Sequence, residues 1–62
     1  MYTVTTVNKM SGTGKTRTFY TEDEFHRFIG YMIFKHNEIG FRVEFKDMSE
    51  DRKQVIYEIK EV

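Results

Sequence analysis

The sequence predicts an α+β domain of element order ββαββ, with one helix packed on one face of a four-stranded sheet. Three observations predict it. Residues Tyr20 to Gly40 carry an apolar stripe of helical period with both ends marked, residues 41–46 alternate strictly between apolar and charged, and the first and last segments are rich in β-branched residues. One helix with a single apolar stripe must bury it against the sheet, since nothing else in so short a chain can cover it.

The elements follow in order. Tyr2 to Lys9 is the first strand, carried by Thr3, Val4, Thr5, Thr6 and Val7, whose branched side chains suit a pleated, half-buried surface. Tyr2 and Val4 share one face while Val7 points to the other, so this strand is expected either to bulge or to bury parts of both faces. Ser11-Gly12-Thr13-Gly14 reads as a turn by composition. Lys15 to Tyr20 is the returning strand, polar enough to sit at a sheet edge. Thr21 then caps the helix and Glu24 completes a capping box, each satisfying a backbone N–H that the first turn leaves without a partner. Tyr20 and Phe25 are placed to form a hydrophobic staple, and Glu22, Asp23 and Glu24 complement the positive end of the helix dipole. Phe25, Phe28, Ile29, Met32, Ile33 and His36 make the stripe, and Gly40 ends the helix because it takes positive φ at no steric cost. Phe41, Val43 and Phe45 alternate with Arg42, Glu44 and Lys46 in the third strand. A polar connector, Asp47 to Arg52, leads to the last strand, Lys53 to Glu61, whose Val55-Ile56-Tyr57 run suits a central position. Phe25, Phe28, Ile29, Met32, Phe41, Val43, Phe45 and Tyr57 are the expected core.

The favoured strand order is 2-1-4-3. It puts the two most β-branched strands in the middle, parallel to each other, and leaves the polar second strand at an edge, the helix serving as the crossover. A meander is the alternative. The element order and lengths resemble the immunoglobulin-binding β-grasp domains of bacterial surface proteins, a likeness of plan from which no binding residue is carried over.

Sixty-two residues form a single small domain, 1–62, with one core. The chain holds no Ala, Leu, Trp or Cys, so its core must come from Phe, Ile, Val, Met and Tyr. Large aromatics, or self-association as a homodimer, are then needed to offset the ordering entropy of a chain without disulfides. Ten basic and ten acidic residues give a formal net charge of zero, unlike the strong positive balance of a general nucleic-acid binder. No segment reaches the length of a membrane span, and the N-terminus lacks the basic-then-apolar plan of a signal peptide, so a cytoplasmic protein with no membrane partner is expected.

No motif names a chemistry. Gly12-Thr13-Gly14-Lys15-Thr16 resembles the end of a phosphate-binding loop, but Lys9 stands where the first glycine belongs and Lys15 opens a strand rather than a helix. His26 and His36 are ten residues apart rather than the four that bring two imidazoles to one metal, so neither metal nor cofactor is expected. His36 reads as a boundary histidine hydrogen-bonded near the helix end. Glu22 and His26 can pair across one turn, yet no nucleophile accompanies them, and the chain is not expected to be an enzyme.

The outer helix face is more informative. Arg27, Gly30, Tyr31 and Phe34 project away from the stripe, where Lys, Glu or Gln are usual. Gly30 costs helix stability and removes a side chain beside two aromatics, and Tyr and Arg are enriched at binding hot spots. These four residues are the expected docking site for another protein. The competing site is the first hairpin, with Lys9, Lys15 and Arg17 and no acid in residues 1–21. That segment carries +3, against −3 for the remainder (seven basic, ten acidic). A basic, threonine-rich ribbon ahead of a T-x-x-E helix resembles the sheet-based DNA readers of mobile-element integrases, which implies a DNA-binding accessory protein as the alternative. A composition poor in Ala and Pro and rich in Lys, Glu, Ile and Phe suits a phage or mobile element, and a small accessory or inhibitor protein acting on a host protein is the expected role.

Overall fold

In the computed structural model, which describes residues 1–61, the chain forms β1 (Tyr2–Asn8), β2 (Thr13–Phe19), α1 (Glu22–Glu38), β3 (Phe41–Met48) and β4 (Gln54–Glu61). The strands make one mixed sheet in the order β2-β1-β4-β3. β1 pairs antiparallel with β2 and parallel with β4, and β3 pairs antiparallel with β4. The favoured order is therefore the one formed. Among the described residues no helix is long and apolar enough to cross a membrane.

The parallel register sets Val4 opposite Val55, and both are 1% exposed, at the centre of the sheet face under the helix. Phe25 and Met32 descend on them from α1, and Ile59 closes the far end of β4. Tyr2, Phe19, Phe28, Ile29 and Tyr57 pack around this centre, partly buried. Of the predicted core, Phe25 and Met32 are buried and Phe28, Ile29 and Tyr57 partly buried, while Val4, Val55 and Ile59 take the place expected of β3. Phe41 and Val43 are only half-buried, and Phe45 is 57% exposed, touching Tyr57 edge-on at 6.0 Å. Alternation told which face these residues take, but β3 is an edge strand. The helix covers the middle of the sheet, so the β-branched residues of β1 and β4 are sealed instead.

The helix ends follow their sequence signals with two differences. Thr21 Oγ1 accepts from the Glu24 N–H at 3.2 Å, as expected of an N-cap. The Glu24 carboxylate, however, accepts from the Thr21 hydroxyl at 3.0 Å rather than from its backbone N–H. The staple does not form: Tyr20 is 80% exposed, and the ring packed on Phe25, at 5.1 Å, is that of Tyr2. The antiparallel pairing of Tyr2 with Phe19 explains this, because it lays Tyr2 beneath the first turn and sends Tyr20, one residue past Phe19, the other way. At the other end Gly40 takes φ +91°, the left-handed conformation expected of a terminator.

The first turn also lies earlier than its composition suggests, over residues 9–12, with Thr13 and Gly14 already in β2. Asn8 sets it. Its side-chain carbonyl accepts the N–H groups of Met10 (2.9 Å) and Ser11 (3.3 Å), and Gly12 supplies the positive φ of +74°. β1 is unbroken, and the register irregularity falls in β3 between Phe45 and Asp47. Val7 keeps its place on the open face without a bulge.

Two measurements test this account. Phe25→Ala removes the ring that covers the Val4–Val55 centre and should cost about 3–5 kcal/mol, while Phe45→Ala at the sheet edge should cost about 1 kcal/mol or less, both read from urea denaturation. Thr21→Ala should cost about 1 kcal/mol. Adding Glu24→Ala should then cost little more, because the two side chains bond to each other, and fully additive losses would exclude that coupling.

Candidate binding site on the helix and the second strand

Because side chains alternate along a strand, the register sorts the sheet into two faces. Tyr2, Val4, Thr6 and Asn8 face the helix together with Thr13, Lys15, Arg17 and Phe19 from β2 and Val55, Tyr57 and Ile59 from β4. Thr3, Thr5, Val7 and Lys9 face away, with Thr16, Thr18, Ile56 and Glu58. The three cations of the first hairpin are therefore divided. Lys9 stands on the open face and pairs with Glu58 at 3.3 Å, while Lys15 and Arg17 stand beside α1.

The open face carries an ion-pair network. Glu58, only 13% exposed in its side chain, is approached by Lys46 at 3.2 Å and Lys9 at 3.3 Å on one oxygen and by Lys60 at 3.8 Å on the other. Lys60 also pairs with Glu44 at 2.7 Å. Hydrogen bonds from Lys46 and then Lys9 hold the Glu58 carboxyl below the usual carboxylate range. The bond from Lys60 does the same to Glu44, and Glu44 in turn raises Lys60. In the β3–β4 loop Asp51 is lowered by hydrogen bonds from the Ser49 hydroxyl and the Lys53 N–H.

The helix presents its own surface. Tyr31 is 60% and Phe34 64% exposed, and both adjoin Gly30, at which an added Cβ would meet nothing within 4 Å. Arg27 lies one turn before Tyr31 and bonds to Asp23 at 3.0 Å. All four residues expected at a docking face are thus at the surface, joined by i, i+3 and i, i+4 spacings into one patch.

Toward β2 this patch runs into a groove of about 390 Å³. Lys15 and Arg17 form its strand wall, and Phe28, Tyr31, Lys35 and His36 its helix wall. The Arg17 guanidinium lies 5.3 Å from the centre of the Phe28 ring, and Lys35 Nζ 6.0 Å from that of Tyr31. His36 Nδ1 is bonded to the Met32 carbonyl oxygen at 2.8 Å, as a boundary histidine near a helix end should be. Sequence reasoning separated the helix face from Lys15 and Arg17, whereas the structure brings them together and adds Lys35. The signal was present: Phe19 must face the core, and alternation from Phe19 puts Arg17 and Lys15 on its side.

A second, larger cleft of about 860 Å³ lies between the first half of α1 and the β3–β4 loop. Its wall mixes Glu22 and Asp51 with His26, Arg52 and Lys53, and His26 approaches Glu22 at 4.0 Å. Burial pushes the Tyr57 phenol up there, keeping it protonated at neutral pH. Among the described residues no three His, Asp or Glu side chains converge as a ligand set. The Gly12–Thr16 segment forms the turn's end and the start of β2, not a phosphate cradle at a helix N-terminus.

Comparison with known proteins gives no match: no family model, curated protein or solved structure matches this chain.

The charge network has a pH signature. Carboxyls held low in the folded state contribute stability above their usual value of 4.5, and that contribution is lost as the pH falls through their folded values. Denaturation midpoints should therefore fall on acidification. Glu58→Gln should make that acid limb shallower, and an unchanged limb would show that the network does not contribute.

Proposed function

We propose that this chain is a non-enzymatic binding module that docks on another protein through the outer face of α1. The observation that carries the reading is the pair Tyr31 and Phe34, both more than half exposed and next to Gly30, which has open space above it. An aromatic on a solvated helix contributes little to folding, and a glycine beside it forfeits about 1 kcal/mol of helix propensity. Together with Arg27 they supply residue types that carry binding energy, around a flat spot that admits a partner's backbone. A phage or mobile-element accessory protein that blocks or redirects a host enzyme fits this description.

Reading the chain as a sheet-based DNA-binding accessory protein would call on the open face of the sheet. There Lys9 is already engaged by Glu58, and Lys15 and Arg17 stand on the other face, so protein docking is favoured.

Tyr31→Ala with Phe34→Ala should leave stability within about 0.5 kcal/mol of the parent, since neither ring fills the core. A photo-crosslinking residue at position 34 should capture a protein in cells of the native host, and one at Arg42, on the open face at the far edge strand β3, should not. Tyr31→Ala should reduce that capture. Gly30→Ala should stabilise the helix by about 1 kcal/mol yet also reduce capture. A crosslink to a second copy of this chain alone would replace the heterologous partner by a homodimer. Equal capture from positions 42 and 34 would sink the helix-face reading.

A further inference from the structure

We propose that an extended acidic segment of the partner adds as a fifth strand at the free edge of β2, its alternate carboxylates leaning over Lys15 and Arg17 toward the mouth of the groove between α1 and β2. The inference rests on the docking reading above and names the chemistry of what docks.

Charge comes first. Lys15, Arg17 and Lys35 all line the groove, no carboxylate lines it, and among the described residues none of the three makes an ion pair. Elsewhere cations stand among carboxylates: those of the open face pair with Glu44 and Glu58, and the larger cleft is mixed. Three unmatched cations around one concavity are complementary to an anion.

The edge decides its shape. β2 ends the sheet, and every one of its residues but Phe19 is exposed. An edge strand directs alternate N–H and C=O groups outward, ready to pair with another extended chain. The opposite edge, β3, is broken by the irregularity between Phe45 and Asp47, whereas β2 is regular over all seven residues. Lys15 and Arg17 lie two residues apart on one face, a separation of about 6.8 Å, which is also the repeat of same-face side chains on an added strand. Acidic residues at every second position would meet both cations. Across the groove Lys35 would reach the same side chains, and Tyr31 would cover them on the helix side and link the groove to Phe34. A nucleic-acid strand could use the cations but could not continue the backbone ladder.

The test uses the full chain, isotopically labelled, titrated with three probes: a peptide in which Glu alternates with Thr, a peptide of the same composition with its Glu residues contiguous, and oligothymidine. The alternating peptide should shift the amides of Thr13–Phe19, Tyr31 and Lys35, and should slow hydrogen exchange along β2. Lys15→Glu with Arg17→Glu, both at exposed positions, should weaken it at least about tenfold while the melting temperature holds. Equal binding of the contiguous peptide, tighter binding of oligothymidine, or an unaffected double variant would each overturn the proposal. If no peptide binds while the position-34 crosslink persists, the groove proposal falls and helix-face docking stands. Peptide binding without any crosslink would remove the helix patch and leave the groove.

Discussion

The parallel pairing of β1 with β4 is the constraint on which the rest of the structure depends. It joins the two ends of the chain, and it sets Val4 against Val55 at the only part of the sheet that one helix can seal. A helix covers a width of about 10 Å, or two strands at their spacing of roughly 4.8 Å, so a four-stranded sheet must choose which pair to protect. Here the protected pair is the β-branched one. The other two strands take the edges, the polar β2 on one side and β3 on the other.

That choice also shapes the surface. α1 meets β2 through Phe28, which packs on Phe19 and lies beside Arg17, and past that contact the space between helix and strand becomes the groove. The helix itself has an excess of aromatics: Phe25 and Phe28 serve the core and its margin, while Tyr31 and Phe34 lie outside it. In a chain without Ala or Leu, aromatic rings supply the burial that a small core needs. That account covers rings that point inward. It does not explain rings that point outward, and the outward pair adjoins Gly30, which favours a partner as their use.

Electrostatics divides the molecule in two. The open face gathers cations and anions into a network around Glu58, while the helix side leaves Lys15, Arg17 and Lys35 unmatched. Net charge conceals this, since the total is zero. Surface ion pairs contribute little stability each, so the network's value lies partly in keeping an uncovered, threonine-rich sheet face soluble and unattractive to other strands.

Much of the fold was legible in the sequence because its signals are local. Capping by Thr21, termination at Gly40, the helical stripe and the alternation of residues 41–45 depend only on nearby backbone geometry, and they determined the elements. Strand order followed as well, since only one order buries both β-branched strands. What the sequence could not settle was placement across strands. It could not show that Tyr2 would replace Tyr20 over Phe25, that Phe45 would lie beyond the helix, or that the lesion in the ladder would fall in β3. For the candidate site, the exposure of Arg27, Gly30, Tyr31 and Phe34 could be read from a helical wheel. The separation of Lys9 from Lys15 and Arg17, and the meeting of those two with Tyr31 and Lys35, required the sheet register and the seat of the helix on it. Period and capping act within one element, whereas a groove exists only between elements, and only tertiary packing decides which two walls face each other.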